Sequence, residues 1–291
     1  MATQTQKLLD PNYLPKELRT QLQLLISANH ILHYHSLVDA FGHISIRDPT
    51  NPAHYLIAGY DPGAPALISE FTDFIAYRVE TSDALDPNSP KGYSERFIHG
   101  EIYKEYASVQ CVVHSHSEAV IPFMSAGIQI KPVFHMAGFM GARGPETFDV
   151  TRCYQQLEST NSQQDMLIKN SVLGHHLACA FRGYGGEGVL PVVLQHKHGF
   201  TCVGGSIQRA VYRAIYLQKN CKLLKDALDL ASGDEGKISF LSFDEARDCA
   251  RMNEATEDKA FRLWLREVQL NPLYQNMEGA PKDLPVGGIE E

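Results

Sequence analysis

Three His-x-His triplets mark this chain: His33-Tyr34-His35, His114-Ser115-His116 and His196-Lys197-His198. The middle one closes an apolar run, Val109-Gln110-Cys111-Val112-Val113, and run and triplet together read as a strand. Residues two apart on a strand point to one face, so the imidazoles of His114 and His116 converge. A chain presents two nitrogen ligands to a divalent ion in this way at little ordering cost. Upstream stands Glu95, within Tyr93-Ser94-Glu95-Arg96-Phe97-Ile98-His99, near the start of a helix. His198 ends a second apolar run, Val192-Val193-Leu194-Gln195. Two His from one strand end, one from another and a carboxylate make a catalytic metal site. The bland alternatives are a pair of hydrogen-bonded pocket histidines and a Glu95 that only opposes its helix dipole.

The other triplets behave differently. His33 and His35 fall in a helical pattern, where residues two apart diverge by roughly 200°, so they do not chelate. His196 shares a face with His198 only if its strand runs unbroken to Gly199. His99, one turn after Glu95, reads as a core residue or a partner to a ligand. The glycine-rich stretch from Arg182 to Gly188 lacks the Lys-Ser/Thr ending of a phosphate loop.

These residues need elements to hold them. Leu18, Leu22, Leu25, Ile26 and Leu32 recur at helical spacing over residues 15–36. Strands follow at Gly42–Pro49, Tyr55–Ala58 and Phe74–Val79, then a turn-rich loop from Asp83 to Pro90. Ser94 is placed to cap a helix from Glu95 to about Tyr106, and a short helix spans Ser117 to Ala126. The segment Asp149–Ala180 reads as helical, with an irregular middle at Ser159–Gln164. Strands at Val189–Gln195 and Phe200–Val203 flank the His198-Gly199 corner. Ser206 caps a helix from Ile207 to about Leu230, and a last helix runs from Phe243 to Val268. Strands and helices mix without a long linker, which predicts one α/β domain over residues 1–291. Its parts are a core at about 20–230, a helical extension at about 238–270 and a polar tail at 271–291.

Composition narrows the function. The 291 residues carry a net charge of −8 and no Lys/Arg stripe, so a nucleic-acid partner is not expected. No apolar run approaches the ~18–20 residues that span a bilayer, and the N-terminus lacks a secretory pattern. The six cysteines are scattered, form no C-x-x-C pair and read as reduced core residues of a cytoplasmic protein.

The order of motifs resembles the class II aldolase/adducin family, whose members include sugar-phosphate aldolases, an epimerase, decarboxylases and the adducin head. The matching residues are Gly42-His43-Ile44-Ser45-Ile46-Arg47, Ser94-Glu95, His114-Ser115-His116, His198-Gly199 and Gly204-Gly205-Ser206, over roughly residues 20 to 230. The resemblance implies a three-layer α/β/α sandwich around a mostly antiparallel sheet, here with extra C-terminal helices. It implies His114, His116 and His198 as ligands of a divalent metal, Zn2+ first, with Mn2+, Co2+ or Fe2+ as alternatives. It gives Glu95 the acid/base role and implies a homotetramer acting on a small-molecule substrate.

Two departures shape the substrate. The sugar-phosphate aldolases have Gly-Asn-x-Ser where this chain has Gly42-His43-Ile44-Ser45, and a Thr-Pro-Thr-Gly phosphate cradle where it has Leu56-Ile57-Ala58-Gly59-Tyr60. Their Ser-Ser-Glu becomes Tyr93-Ser94-Glu95. Loss of small hydroxyl donors argues against a phosphate dianion. His43, Ser45, Arg47 and Ser94 are instead expected to meet the carboxylate or hydroxyl groups of the substrate, with a structural Arg47 at the strand end as the equal alternative. The expected activity is a metal-dependent carbon–carbon lyase, a decarboxylase or retro-aldolase, acting on a non-phosphorylated hydroxy or oxo acid through a metal-stabilised enediolate. The alternatives are a non-catalytic adducin-like assembly module and an Fe(II)-dependent oxygenase. Against the first, all three ligand histidines and the glutamate are kept.

Overall fold

A computed structural model of the chain describes residue 9 and residues 13–62, 64–156, 163–183, 188–281 and 284. The irregular middle at Ser159–Gln164 and the glycine-rich loop before Gly188 therefore lie largely outside the described residues, as do positions 282, 283 and 285–291 of the polar tail.

The apolar, β-branched runs form one seven-stranded sheet. Its strands are β1 (His43–Arg47), β2 (His54–Ala58), β3 (Phe74–Arg78), β4 (Cys111–Ser115), β5 (Glu146–Phe148), β6 (Val192–Gln195) and β7 (Gly199–Gly204). They lie in the order β3-β2-β1-β4-β7-β6-β5. Every neighbouring pair is antiparallel except β5 and β6. The central strands β1, β4, β6 and β7 are buried along their whole length, as expected for strands covered on both faces.

One helical layer holds α2 (Arg96–Glu105) and α4 (Ser171–Ala180), which pack on each other. The opposite layer holds α1 (Lys16–Tyr34) against β1 and α5 (Ile207–Leu230) against β4 and β7. A short helix, α3 (Ile121–Ala126), follows β4. The long C-terminal helix α6 (Phe243–Leu270) lies on α1, α5 and a 3-10 segment at His135–Met140, burying Phe261, Trp264, Leu265 and Val268. The three-layer sandwich with C-terminal helical additions is thus the architecture found. Ser206 caps α5 by accepting from the Arg209 N–H, and Ser242 with Glu245 forms a capping box on α6.

Two expectations fail. Ser94 does not cap α2: the N-cap position is Glu95, and no side chain bonds the free N–H groups there. The stretch 149–180 is not one interrupted helix. A 3-10 segment at Val150–Gln156 is separated from α4 by non-helical chain at 163–170. Asn170 starts α4 afresh by accepting from the Leu173 N–H, and Met166 takes a positive φ of 67°. Chain in this conformation frees backbone N–H groups for partners elsewhere, and one of them reaches Glu95. The edge strand β5 had no counterpart in the sequence reading; at three residues it is too short for a visible alternation.

Candidate metal centre

β4 ends in the centre of the sheet, between β1 and β7, and this placement builds the site. His114 faces His43 across β1 and Thr201 across β7. His116 lies one residue beyond the strand. On the other side, the β6–β7 turn carries His198, with Lys197 in the left-handed region at φ 59°. Gly199 follows, and a Cβ there would stand 2.1 Å from the Ser115 carbonyl oxygen. Only glycine lets β7 approach the end of β4 this closely, and the approach sets His198 against the His114/His116 pair.

The ligand atoms of Glu95, His114, His116 and His198 all lie within 4.8 Å of one another. His114 Nε2 is 3.0 Å from His116 Nε2, and Glu95 Oε2 is 3.8 Å from His114 Nε2 and 3.6 Å from His198 Nε2. Tetrahedral coordination at ~2.0–2.1 Å puts ligand atoms roughly 3.3–3.4 Å apart, so the cluster has the size of a coordination shell. Among the described residues His198 Nε2 is buried without a hydrogen-bond partner, and an ion would supply one. The residues present fit a divalent metal.

The surroundings orient each ligand. His114 Nδ1 lies 3.1 Å from the Phe200 carbonyl oxygen, which can only accept, so the proton sits on Nδ1 and the Nε2 lone pair faces the site. Thr201 Oγ1 and Gln195 crowd the same nitrogen. Glu95 Oε1 accepts from the Ile168 N–H at 2.9 Å, which turns Oε2 toward the histidines. Burial, then the neighbouring His198, holds His114 well below the ordinary histidine range and lowers His116 as well. Both imidazoles therefore stay neutral and able to coordinate near pH 7.

Glu95 and His116 of the cluster line a cavity of ≈ 880 Å³. Its walls carry Phe41, Tyr60, Tyr93, Ser94 and His43. Tyr60 is half exposed, and the Lys91 ammonium lies 4.2 Å from its ring centroid at the mouth.

The remaining sequence candidates separate. His43 and Ser94 line the cavity. Ser45 is fully buried, bonded to His99 Nδ1 at 2.6 Å and to the Tyr103 hydroxyl at 2.8 Å, and reaches no open space. Arg47, at the far end of β1, donates to the carbonyls of Val109, Pro52, Tyr103 and Tyr106. Its guanidinium pins the chain around α2 and β4, so of the two expected readings of Arg47 the structural one holds and the substrate contact is corrected. His196 stays outside the cluster, because its strand ends at Gln195 and the chain turns. His33 bonds the Tyr274 hydroxyl and His35 packs edge-on to Trp264, far apart in role as in direction. Sequence reasoning missed Ile168, Gln195 and Thr201. Thr201 had a signal, since it faces the same side of β7 as Gly199; the Ile168 N–H had none.

With this geometry in view, comparison with known proteins gives a clear result. Residues 23–224 match the family described as the class II aldolase and adducin N-terminal domain. The chain belongs to that family. A decarboxylase, tropJ, of Talaromyces stipitatus is 39% identical over 88% of this chain and 97% of its own length. A 3,4-dihydroxyphthalate decarboxylase of Arthrobacter keyseri is 26% identical over 65% of this chain and 71% of its own. Among solved structures, L-fuculose 1-phosphate aldolase from Glaciozyma antarctica superposes with a TM-score of 0.65 at 20% identity, covering 92% of this chain and 99% of the aldolase. That last likeness is one of fold.

Proposed function

We propose that this enzyme, a lyase, breaks a carbon–carbon bond in a non-phosphorylated, aromatic hydroxy acid and releases CO2. The observation that carries the reading is the convergence of three imidazoles and one carboxylate beside an aromatic-walled cavity. The decarboxylases among the relatives favour decarboxylation over aldol cleavage. The intact ligand set weighs against an adducin-like assembly role.

His114, His116 and His198 would hold the ion, which we take to be Zn2+, with Glu95 beside it. When bound, it supplies positive charge for the electron pair left on the substrate as CO2 departs. The protein's own groups do the rest. Tyr60 and Tyr93 flank the substrate ring. Glu95, with Oε1 held by the Ile168 N–H, carries a proton on Oε2 to the carbon that keeps the electron pair. Ser94 offers a hydroxyl to a substrate oxygen at the cavity wall. The assembly we infer is a homotetramer of one-domain subunits, and the six free thiols accord with a cytoplasmic setting.

The test is to load the protein with Zn2+ and incubate it with ortho-hydroxy aromatic acids, 3,4-dihydroxyphthalate among them, and with L-fuculose 1-phosphate. CO2 from an aromatic acid with no aldehyde from the sugar phosphate is the expected result. Aldehyde from the sugar phosphate, or no product from any of them, contradicts the reading.

A further inference from the structure

Behind the cavity wall runs a line of hydrogen bonds that the metal centre does not use. The Tyr103 hydroxyl meets Ser45 Oγ at 2.8 Å, Ser45 Oγ meets His99 Nδ1 at 2.6 Å, and His99 Nε2 meets His43 Nδ1 at 2.7 Å. Ser45 and His99 are fully buried, Tyr103 is 1% exposed, and His43 reaches the cavity with its remaining edge. Pairing builds the line: His43 and Ser45 share a face of β1, and His99 and Tyr103 lie one turn apart on α2. The Arg47 guanidinium, fixed on backbone carbonyls, lies 4.9 Å from the Tyr103 ring centroid and holds it in place.

Such a line can be protonated in two senses. In one, Tyr103 donates to Ser45, Ser45 to His99 Nδ1, and His99 Nε2–H to His43 Nδ1, so His43 carries its proton on Nε2. In the other every donor reverses, and the Tyr103 O–H is left without an acceptor. Among the described residues that hydroxyl has no partner except Ser45. A buried donor without an acceptor is the costlier defect, so the first sense wins. Burial also keeps the His99 ring neutral, pushing it down to about 3.

We propose that Tyr103, Ser45 and His99 act as positioning residues that fix His43 as an N–H donor, aimed from the cavity wall at a substrate oxygen beside the metal centre. His43, whose ring centroid lies 5.1 Å from that of His114, stands outside the ligand cluster. The donor defines the substrate class, since a ligand must place an acceptor, a carboxylate or phenolic oxygen, next to the oxygens at the metal. The inference rests on the lyase reading for the nature of the ligand but not for the direction of the line.

Long-range 1H–15N correlation on histidine-labelled, Zn2+-loaded full-length protein reads the tautomer directly, with the His43 signals identified by their loss in His43→Gln. The proposal expects His43 protonated on Nε2, and a mixture of both tautomers in Ser45→Ala. A proton on Nδ1 in the parent protein, or a Ser45→Ala spectrum identical to it, overturns the proposal. Addition of 2,3-dihydroxybenzoate, with binding followed separately by calorimetry, is expected to shift the His43 Nε2 proton. Binding without that shift overturns the substrate contact. No binding at all strikes at the lyase reading, while the tautomer still decides the direction of the line. In turnover, His43→Leu is expected to lower kcat/KM about 100-fold at unchanged metal content, with His43→Gln recovering part of the loss. A His43→Leu protein as efficient as the parent overturns the contact.

Discussion

His33-Tyr34-His35 and His114-Ser115-His116 share a residue pattern and nothing else. In α1 the first pair diverges: His33 takes the Tyr274 hydroxyl at 2.9 Å, while His35 lies against Trp264 with its Nε2 buried and unpartnered. At the end of β4 the second pair converges, Nε2 to Nε2 at 3.0 Å, beside His198 and Glu95. Backbone periodicity, not histidine content, decides which triplet can chelate. The third triplet teaches the same lesson from a turn, where His198 joins the cluster and His196 does not.

The sharpest way to break this comparison is substitution at matched positions. His198→Ala is expected to lose the metal and lower turnover on the order of a thousand-fold, while His35→Ala keeps both. Metal content by mass spectrometry and initial rates check it; equal loss in both variants would erase the distinction. Gly199→Ala comes next. Its Cβ collides with the Ser115 carbonyl, so the β6–β7 turn must shift and carry His198 with it. A displacement of about 1 Å at a reacting group costs on the order of 100-fold in rate. An alanine variant of full activity would show that the close strand approach does not position the ligand.

The histidines also differ from unfolded chain in their protonation. Burial pushes His30 and His35 down to about 4 and His99 down to about 3, against 6.5 for the ordinary group. Below 6.5 the unfolded chain takes up protons that the folded protein refuses. Their neutral burial is thus without penalty above that value, and stability falls as pH drops toward 4. Thermal unfolding of metal-stripped protein should show a lower midpoint at about pH 5 than at about pH 7.5, and an unchanged midpoint would contradict these histidines being neutral. The smallest effect belongs to His33→Ala, which removes one hydrogen bond to Tyr274. About 1 kcal/mol of stability and no change in kcat are expected, from denaturant titration and rates.

Much of this was legible before any coordinates. The strand runs around His114 and His198 carry a period-two pattern or a continuous apolar stretch, and Ser206 and the Phe243 helix start carry capping chemistry that depends on neighbours only. What escaped depends on contacts distant in sequence. Arg47 read equally as a substrate ligand or a structural residue, because its charge sits at the end of a strand that also carries His43 and Ser45. Its four carbonyl partners lie on chain that the sequence does not place beside it. Ser94 resembled a helix cap, but the helix begins one residue later with Glu95 at the N-cap, its carboxylate turned to the histidines. The stretch 165–170 read as helical, yet it stays open and gives the Ile168 N–H to Glu95. The line from Tyr103 to His43 has a helix spacing at one end and a strand spacing at the other, and only the packing of α2 on β1 joins them.

The central claim is that His114, His116 and His198 bind one divalent cation with Glu95 at its side. An anomalous-scattering map from crystals grown without chelator tests it most directly. The account predicts a single peak at ~2.0–2.2 Å from the Nε2 atoms of the three histidines. Fully formed protein with no peak there, or with its ion bound at other residues, would contradict it.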